Sequence, residues 1–371
     1  MTIPVRKTIR GLSPYIPGKP VEELERELGI KNAIKLASNE NPLGPSKKAI
    51  SILAKGFFKN LHRYPEGSGR LLREALAHKH KIAPDQVILG NGSDEIMDLA
   101  AKTFLEPGDE VLIGDLTFSI YQISVTAHHG VGVVVPLKEG RYDLDGMARR
   151  LTPKTRLIFV CNPNNPTGTM VTQREIVRFL DRLPAGVIVI LDEAYAEYAT
   201  SPDFPDSDGL VKQGRPLIVL RTFSKVYGLA GLRIGYGISQ QEIVEYLNRV
   251  RLPFNTNSLG QAAAIAALRD EAHLTKSVRL NETGKVFLMN ALDELEIRYF
   301  PTQANFIYLE VRLNGRSVYE SLLREGVIVR HIKENWLRVS IGRPAENRRF
   351  VRALKKVLNE SRERSPSRSL S

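Results

Sequence analysis

The stretch Arg221-Thr222-Phe223-Ser224-Lys225-Val226-Tyr227-Gly228-Leu229-Ala230-Gly231-Leu232-Arg233 places an amine, hydroxyl donors and a fixed cation on a short loop. Apolar runs flank it, Leu217–Leu220 before and Ile234–Ile238 after. A lysine amine can condense with an aldehyde, while Thr222, Ser224 and the planar guanidinium of Arg233 suit a phosphate. Pyridoxal 5'-phosphate carries both groups. Burial and nearby cations would lower the pKa of Lys225, as amine chemistry near neutral pH requires.

Three other loops follow strand-like runs. Asp192-Glu193-Ala194-Tyr195 comes after Val187–Leu191. An acid at the carboxyl end of a parallel strand lies where open α/β sheets bind ligands, and a carboxylate there would keep a pyridine nitrogen protonated. An N-cap aspartate would look the same. Asn162-Pro163-Asn164-Asn165-Pro166-Thr167-Gly168 follows Arg156–Val160 and forms a tight turn whose asparagines could donate to a phenolate oxygen, or simply turn the chain. In Leu89-Gly90-Asn91-Gly92-Ser93-Asp94-Glu95, glycines would let the backbone approach a ligand, and a helix start would favour phosphate. Ser93 as an ordinary N-cap is the alternative.

These loops need elements to position them. Seven short runs rich in Val, Ile and Leu read as buried strands: Gln86–Leu89, Glu110–Ile113, Val131–Val135, Arg156–Val160, Val187–Leu191, Leu217–Leu220 and Ile234–Ile238. Amphipathic stretches lie between several of them, as in Ser93 to Leu105, with Ile96, Leu99, Ala100 and Phe104 on one face. The alternation predicts an α/β fold with a mostly parallel seven-stranded sheet between helices. After Pro253 the pattern changes. A long helical stretch runs from Ser258 to about Leu295, followed by runs at Ile297–Phe300, Asn305–Glu310, Val327–Arg330 and Trp336–Ser340 and a last helix from Pro344 to about Asn359. The expected organisation is an N-terminal arm (1–40) with a short helix near Val21–Leu28, a large domain (41–254), a smaller α+β domain (255–360) and a disordered basic tail (361–371).

The chain has 371 residues, 42% of them hydrophobic and 25% charged, enough for a large domain with a smaller companion. The net charge of +12 raises nucleic-acid binding as a class, but the excess is not gathered into one stripe. Part of it lies from Arg349 to Arg368, read as a solvated end; the rest suits attraction of anionic small molecules. The single cysteine, Cys161, allows no internal disulfide, and no apolar segment has the length of a membrane span. A cytoplasmic protein with neither nucleic-acid nor membrane partner, and no metal, is expected.

Taken together the motifs resemble the fold-type I pyridoxal-phosphate aminotransferases, and within them the histidinol-phosphate aminotransferase family. The further strings that carry this are Leu36-Ala37-Ser38-Asn39-Glu40-Asn41-Pro42-Leu43-Gly44-Pro45, Tyr64-Pro65-Glu66-Gly67-Ser68-Gly69 and Arg251-Leu252-Pro253-Phe254-Asn255-Thr256-Asn257. The resemblance spans about Tyr15 to Leu354. It implies pyridoxal 5'-phosphate as cofactor, Lys225 as Schiff-base former and proton shuttle, and Asp192 on the pyridine nitrogen. Tyr195 and Asn165 would bond the ring 3-oxygen. Phe118 would stack on the ring, and Gly92, Ser93, Asp94, Thr222, Ser224 and Arg233 would hold the phosphate. Tyr64 resembles a tyrosine that reaches the other subunit's cofactor, which implies a homodimer. Tyr15, Asn41, Tyr64, Arg330 and Arg338 would contact substrate, with Arg338 taking a carboxylate or a phosphate in turn. Leu116 stands where that family usually has proline. The segment His331-Ile332-Lys333-Glu334-Asn335 replaces a glycine-bearing linker. The implied reaction is a ping-pong transamination between L-histidinol phosphate and 2-oxoglutarate, with glutamate and imidazole-acetol phosphate as the opposite pair. Alternatives are a broad aromatic-amino-acid aminotransferase, a phosphothreonine decarboxylase, or a non-catalytic nucleic-acid-binding relative.

Overall fold

The computed structural model describes residues 3–55 and 60–363. Its strands are β1 Ile34–Lys35, β2 Val87–Gly90, β3 Glu110–Gly114, β4 Val131–Val135, β5 Thr155–Cys161, β6 Ile188–Asp192, β7 Leu217–Thr222, β8 Gly235–Ser239, β9 Arg298–Tyr299, β10 Phe306–Glu310, β11 Val327–Ile328, β12 Arg330–Lys333 and β13 Trp336–Ser340. β2 to β8 form one sheet of seven strands in the order β2-β8-β7-β6-β5-β3-β4. All neighbours pair in parallel except β8, which runs antiparallel to both β2 and β7. In β5 to β7, successive residues such as Leu157, Ile158, Phe159 and Val160 are all fully buried. Consecutive side chains point to opposite faces, so both faces are covered, which is why these strands read as unbroken apolar runs.

The smaller unit is an antiparallel sheet in the order β12-β13-β10-β9, with helices Gly315–Arg324 and Pro344–Glu363 beside it. Its core includes Leu288, Leu292, Ile307, Leu337, Val339, Phe350 and Leu354. The arm joins this unit: β1 pairs in parallel with β11, and Leu36 enters its core.

Three boundaries differ from the sequence expectation. The helical stretch after Ser258 is two helices, Ser258–Leu268 and Glu271–Glu294, separated where Asp270 accepts from the His273 N–H and caps the second. Ala263, Ala264 and Ala267 of the first helix lie in the larger core, as do Leu274 and Val278 of the second at its edge. The cores therefore change over within Glu271–Glu294, not at residue 254. Secondly, the last helix continues to Glu363, and its start is not a solvated end. Phe350, Leu354 and Val357 are buried, while Arg349 donates to the carbonyls of Asn32 and Glu325. The expected tail lies outside the described residues from 364 on. Thirdly, residues 330–333 form β12, the outer strand of a hairpin with β13.

Leu288 is completely buried just past the changeover. Leu288→Ala should lower stability by about 2–5 kcal/mol in urea unfolding, the usual range for a buried leucine truncation; a loss below ~1 kcal/mol would contradict its place in the smaller core.

Candidate active site

At the carboxyl ends of β5, β6 and β7, Cys161 lies beside Asp192, and Thr222 lies two residues beyond the Leu220 that pairs with Asp192. A cavity of about 210 Å³ opens there, between the two units. Its walls include Ser93, Asp94, Phe118, Asn165, Asp192, Tyr195, Thr222, Ser224, Lys225, Arg233, Arg338 and Tyr15. Loops separated by well over a hundred residues thus converge because their strands are neighbours in one sheet.

One end of the cavity is built for an anion. Helix Ser93–Phe104 begins at Gly92 with no side chain capping its first-turn N–H groups. Gly92 has φ +81, and a Cβ added there would lie 2.3 Å from Nη2 of Arg233. Only glycine lets that guanidinium lie against the helix start. Arg233 itself is loosely held, at 3.4 Å from Ser224 Oγ and 3.3 Å from Asp94 Oδ2. Uncapped N–H groups, a loosely held guanidinium and the hydroxyls of Thr222 and Ser224 together suit a phosphate.

The middle of the cavity holds the titrating groups. Asp192 is buried, and burial pushes its carboxyl up to about 6. Tyr121 donates to Oδ2 at 2.5 Å and the Ala194 N–H to Oδ1 at 3.1 Å, which fixes the carboxylate. A protonated ring nitrogen beside it would return it to full ionisation. Lys225 Nζ donates to the Ser38 carbonyl at 3.3 Å and lies 5.7 Å from the centre of the Tyr195 ring. Burial, then the nearby Arg338 guanidinium, draws its amine down to about 8. A substantial neutral fraction is therefore present near neutral pH, as a nucleophile requires.

Arg338 closes the far end. It is buried, donating to Asn165 Oδ1 at 2.5 Å and to the Ala37 carbonyl at 2.6 Å, while its Nε has no partner. No carboxylate pairs with it among the described residues. Arg330 sits directly opposite on β12. Two arginines facing each other across a ladder repel, and an anion between them relieves this.

Several expected residues stand elsewhere. Asn41 does not reach the cavity: its amide donates to the Val226 carbonyl at 2.7 Å and Ser277 Oγ at 2.9 Å, and its oxygen accepts from the Leu43 N–H. With these polar atoms engaged, it is a strut behind the Lys225 loop and stands outside the cavity wall, where a substrate contact was expected of it. Arg330 is outside the cavity wall, its guanidinium 5.5 Å from the Tyr15 ring centre and bonded to the Ile16 carbonyl. Tyr64 is 82% exposed and stacks on Phe254 at 4.6 Å, away from the cavity of its own chain. The loop carrying Phe118 does without proline at 116, because Asn164 bonds both the Leu116 carbonyl and the Thr117 hydroxyl. Tyr121, Ser38 and Asn39 were missed as individual residues, although Ser38 and Asn39 lay inside a string that stood out.

The profile of the family "Aminotransferase class I and II" matches residues 31–354. The histidinol-phosphate aminotransferase of Moorella thermoacetica is 48% identical over 96% of this chain and 94% of its own length. Histidinol-phosphate aminotransferase 2 of Carboxydothermus hydrogenoformans is 45% identical over 95% of this chain and 99% of its own. Among solved structures, histidinol-phosphate aminotransferase from Sinorhizobium meliloti, in complex with pyridoxal-5'-phosphate, superposes with TM-score 0.88 at 27% identity, over 96% of this chain and 98% of that one. The fold and cavity are those of a pyridoxal-phosphate-dependent aminotransferase of class I and II. Within that class the chain belongs to the histidinol-phosphate aminotransferase family.

The cradle, the central carboxylate and the depressed amine fit pyridoxal 5'-phosphate. The rate at which the unloaded protein captures it, followed by visible absorbance, should rise with pH and reach half its maximum near 8, where Lys225 loses its proton. A midpoint near the ordinary lysine value of about 10.4 would contradict the burial of that amine.

Proposed function

We propose that this cavity carries out the transamination between L-histidinol phosphate and 2-oxoglutarate through the following division of labour. Bound pyridoxal 5'-phosphate supplies an electron sink for the pair left when the α-hydrogen of the amino donor departs. Lys225 removes that proton from the α-carbon and returns one to the α-carbon of the amino product in the reverse half. Its lowered pKa lets it act as a base near neutral pH. Asp192, held by Tyr121 and the Ala194 N–H, keeps a proton on the ring nitrogen. Asn165 spends its oxygen on Arg338, which leaves its amide nitrogen to donate to the ring oxygen beside Tyr195. The cradle around Gly92, Ser93, Asp94, Thr222, Ser224 and Arg233 holds the cofactor phosphate, and Phe118 forms a wall against its ring.

The observation that carries the substrate reading is the buried Arg338, without a carboxylate partner and opposite Arg330. The glutamate side-chain carboxylate and the histidinol phosphate group are both anions at the end of a short chain. Arg338 serves both in turn, with Arg330 beside Tyr15 just outside the cavity wall. Tyr15, beside Phe118 and under Arg330, lies at the mouth where the arm meets the substrate. The close full-length relatives favour this reading over a mainly aromatic aminotransferase or a phosphothreonine decarboxylase. A nucleic-acid role is not favoured, since Lys225, Arg233 and Arg338 line a cavity of about 210 Å³ and not an extended surface.

The exposed Tyr64–Phe254 stack supports a homodimer in which Tyr64 enters the partner's site. No helix among the described residues is long and apolar enough to cross a membrane, in keeping with a cytoplasmic enzyme.

Arg338→Ala should reduce kcat/KM for glutamate and for histidinol phosphate alike, each by at least about a hundredfold, the scale of a buried charged hydrogen bond. A loss confined to one substrate would refute the shared anion site. In mixed dimers of Tyr64→Ala with Lys225→Ala chains, one site regains both residues only if Tyr64 acts across the interface. Wild-type cofactor retention at the one Lys225-bearing site of each mixed dimer is the expected outcome, and retention no better than in Tyr64→Ala alone would contradict a shared site.

A further inference from the structure

Asn39 occupies a position that the chemistry above does not use. It is buried, with φ +56, and lies on the arm just before the loop that clamps the Lys225 segment. Its backbone N–H donates to Ser340 Oγ at 2.9 Å, and its carbonyl accepts from Asn305 Nδ2 at 2.9 Å. Ser340 Oγ, having accepted that N–H, gives its own hydrogen to Asn39 Oδ1 at 2.9 Å. The amide end left over, Nδ2, faces Tyr195 and donates to its hydroxyl oxygen at 3.0 Å.

This has a consequence for the direction of the Tyr195 hydrogen. A phenol has one hydrogen, free to rotate about the C–O bond. Where its oxygen accepts from Asn39, the hydrogen must point away from that amide. Tyr195 is buried, packed edge-on against Phe306 and faced by Lys225, Arg338, Asp192 and Cys161. Arg338 is a donor only, Asp192 is already engaged by Tyr121 and the Ala194 N–H, and Lys225, which accepts only when neutral, itself lies in the cavity wall. The cavity side is what remains.

We propose that Asn39 is a positioning residue that, locked by Ser340, aims the Tyr195 hydroxyl hydrogen at the cofactor's ring oxygen, and that Ser340 thereby links this hydrogen bond to the strand carrying Arg338. Ser340 is two residues beyond Arg338 on β13 and on the same face of the sheet. The strand that holds the substrate anion is thus joined, through Ser340 and Asn39, to the group that tunes the ring. The proposal rests on Tyr195 contacting the ring oxygen, as set out under the proposed function.

A donor on that oxygen competes for its negative charge with the acidic proton the loaded cofactor carries, so it lowers the pH at which that proton leaves. The visible absorbance of the cofactor-loaded protein reports this as a pH midpoint. Tyr195→Phe should raise the midpoint by about one pH unit. Asn39→Gly, which tolerates the positive φ, should raise it by part of that amount, and Ser340→Ala by a smaller part in the same direction. In the Tyr195→Phe background, neither Asn39→Gly nor Ser340→Ala should move the midpoint further. A merely structural Asn39 would lower the melting temperature with no shift in the wild-type background, and a shift that persists undiminished in Tyr195→Phe would mean it acts by another route; either result overturns the proposal. Should Asn39→Gly not fold, Ser340→Ala carries the same test. If Tyr195→Phe leaves the midpoint unmoved, the placement of Tyr195 at the ring oxygen is itself wrong, and the relay falls with it.

Discussion

Two buried cations that face only neutral oxygens set the terms for this structure. Lys225 rests on a backbone carbonyl, and Arg338 on a carbonyl and an amide oxygen. A buried charge without a counter-charge is costly, and proteins normally pair it or neutralise it. Here Lys225 answers by a lowered pKa, while Arg338 remains charged with its Nε unbonded. Such a cavity is incomplete by itself. In the proposed function, ligand anions would complete it, a phosphate at the helix end and a carboxylate or phosphate at the arginine end, and would offset part of the cost of burying the cations.

The arm makes this arrangement possible. Residues 37 to 41 run between the two units, and several of their polar groups hold residues of one unit or the other. Ala37 receives Arg338, Ser38 receives Lys225, Asn39 joins Ser340 to Tyr195, and Asn41 braces the backbone after Lys225. The larger unit carries Asp192, Thr222 and Lys225 at and just beyond its strand ends, and the smaller unit carries Arg338 on β13. The arm is the seam through which each fixes the other's geometry. Helix Glu271–Glu294, shared by both cores, keeps the units together over a longer span.

Much of the framework was legible in the sequence because parallel strands buried on both faces are unbroken apolar runs. That pattern located all seven strands of the main sheet to within a residue or two, and with them the loops at their ends. β12 was not legible: Arg330-His331-Ile332-Lys333 has no apolar alternation and is a strand only because it pairs with β13. The changeover between cores was hidden because the alanine-rich helix Ser258–Leu268 carries no signal of which unit it packs against. Asn41 shows the limit for single residues. Its motif marked it out, but whether an asparagine contacts a ligand or a carbonyl 185 positions away is decided by the fold. The roles of Tyr121 and Asn39 were missed for the same reason, since each acts on a partner distant in the chain.

In the proposed function, Lys225 and the anion site at Arg338 make this protein an amine carrier between two short-chain anions. Single-turnover spectroscopy of the cofactor-loaded protein tests it most directly. L-histidinol phosphate and L-glutamate, each added alone, should discharge the visible band, and 2-oxoglutarate should restore it. O-phosphothreonine should release no carbon dioxide. Carbon dioxide from phosphothreonine, with no spectral response to histidinol phosphate, would contradict the account.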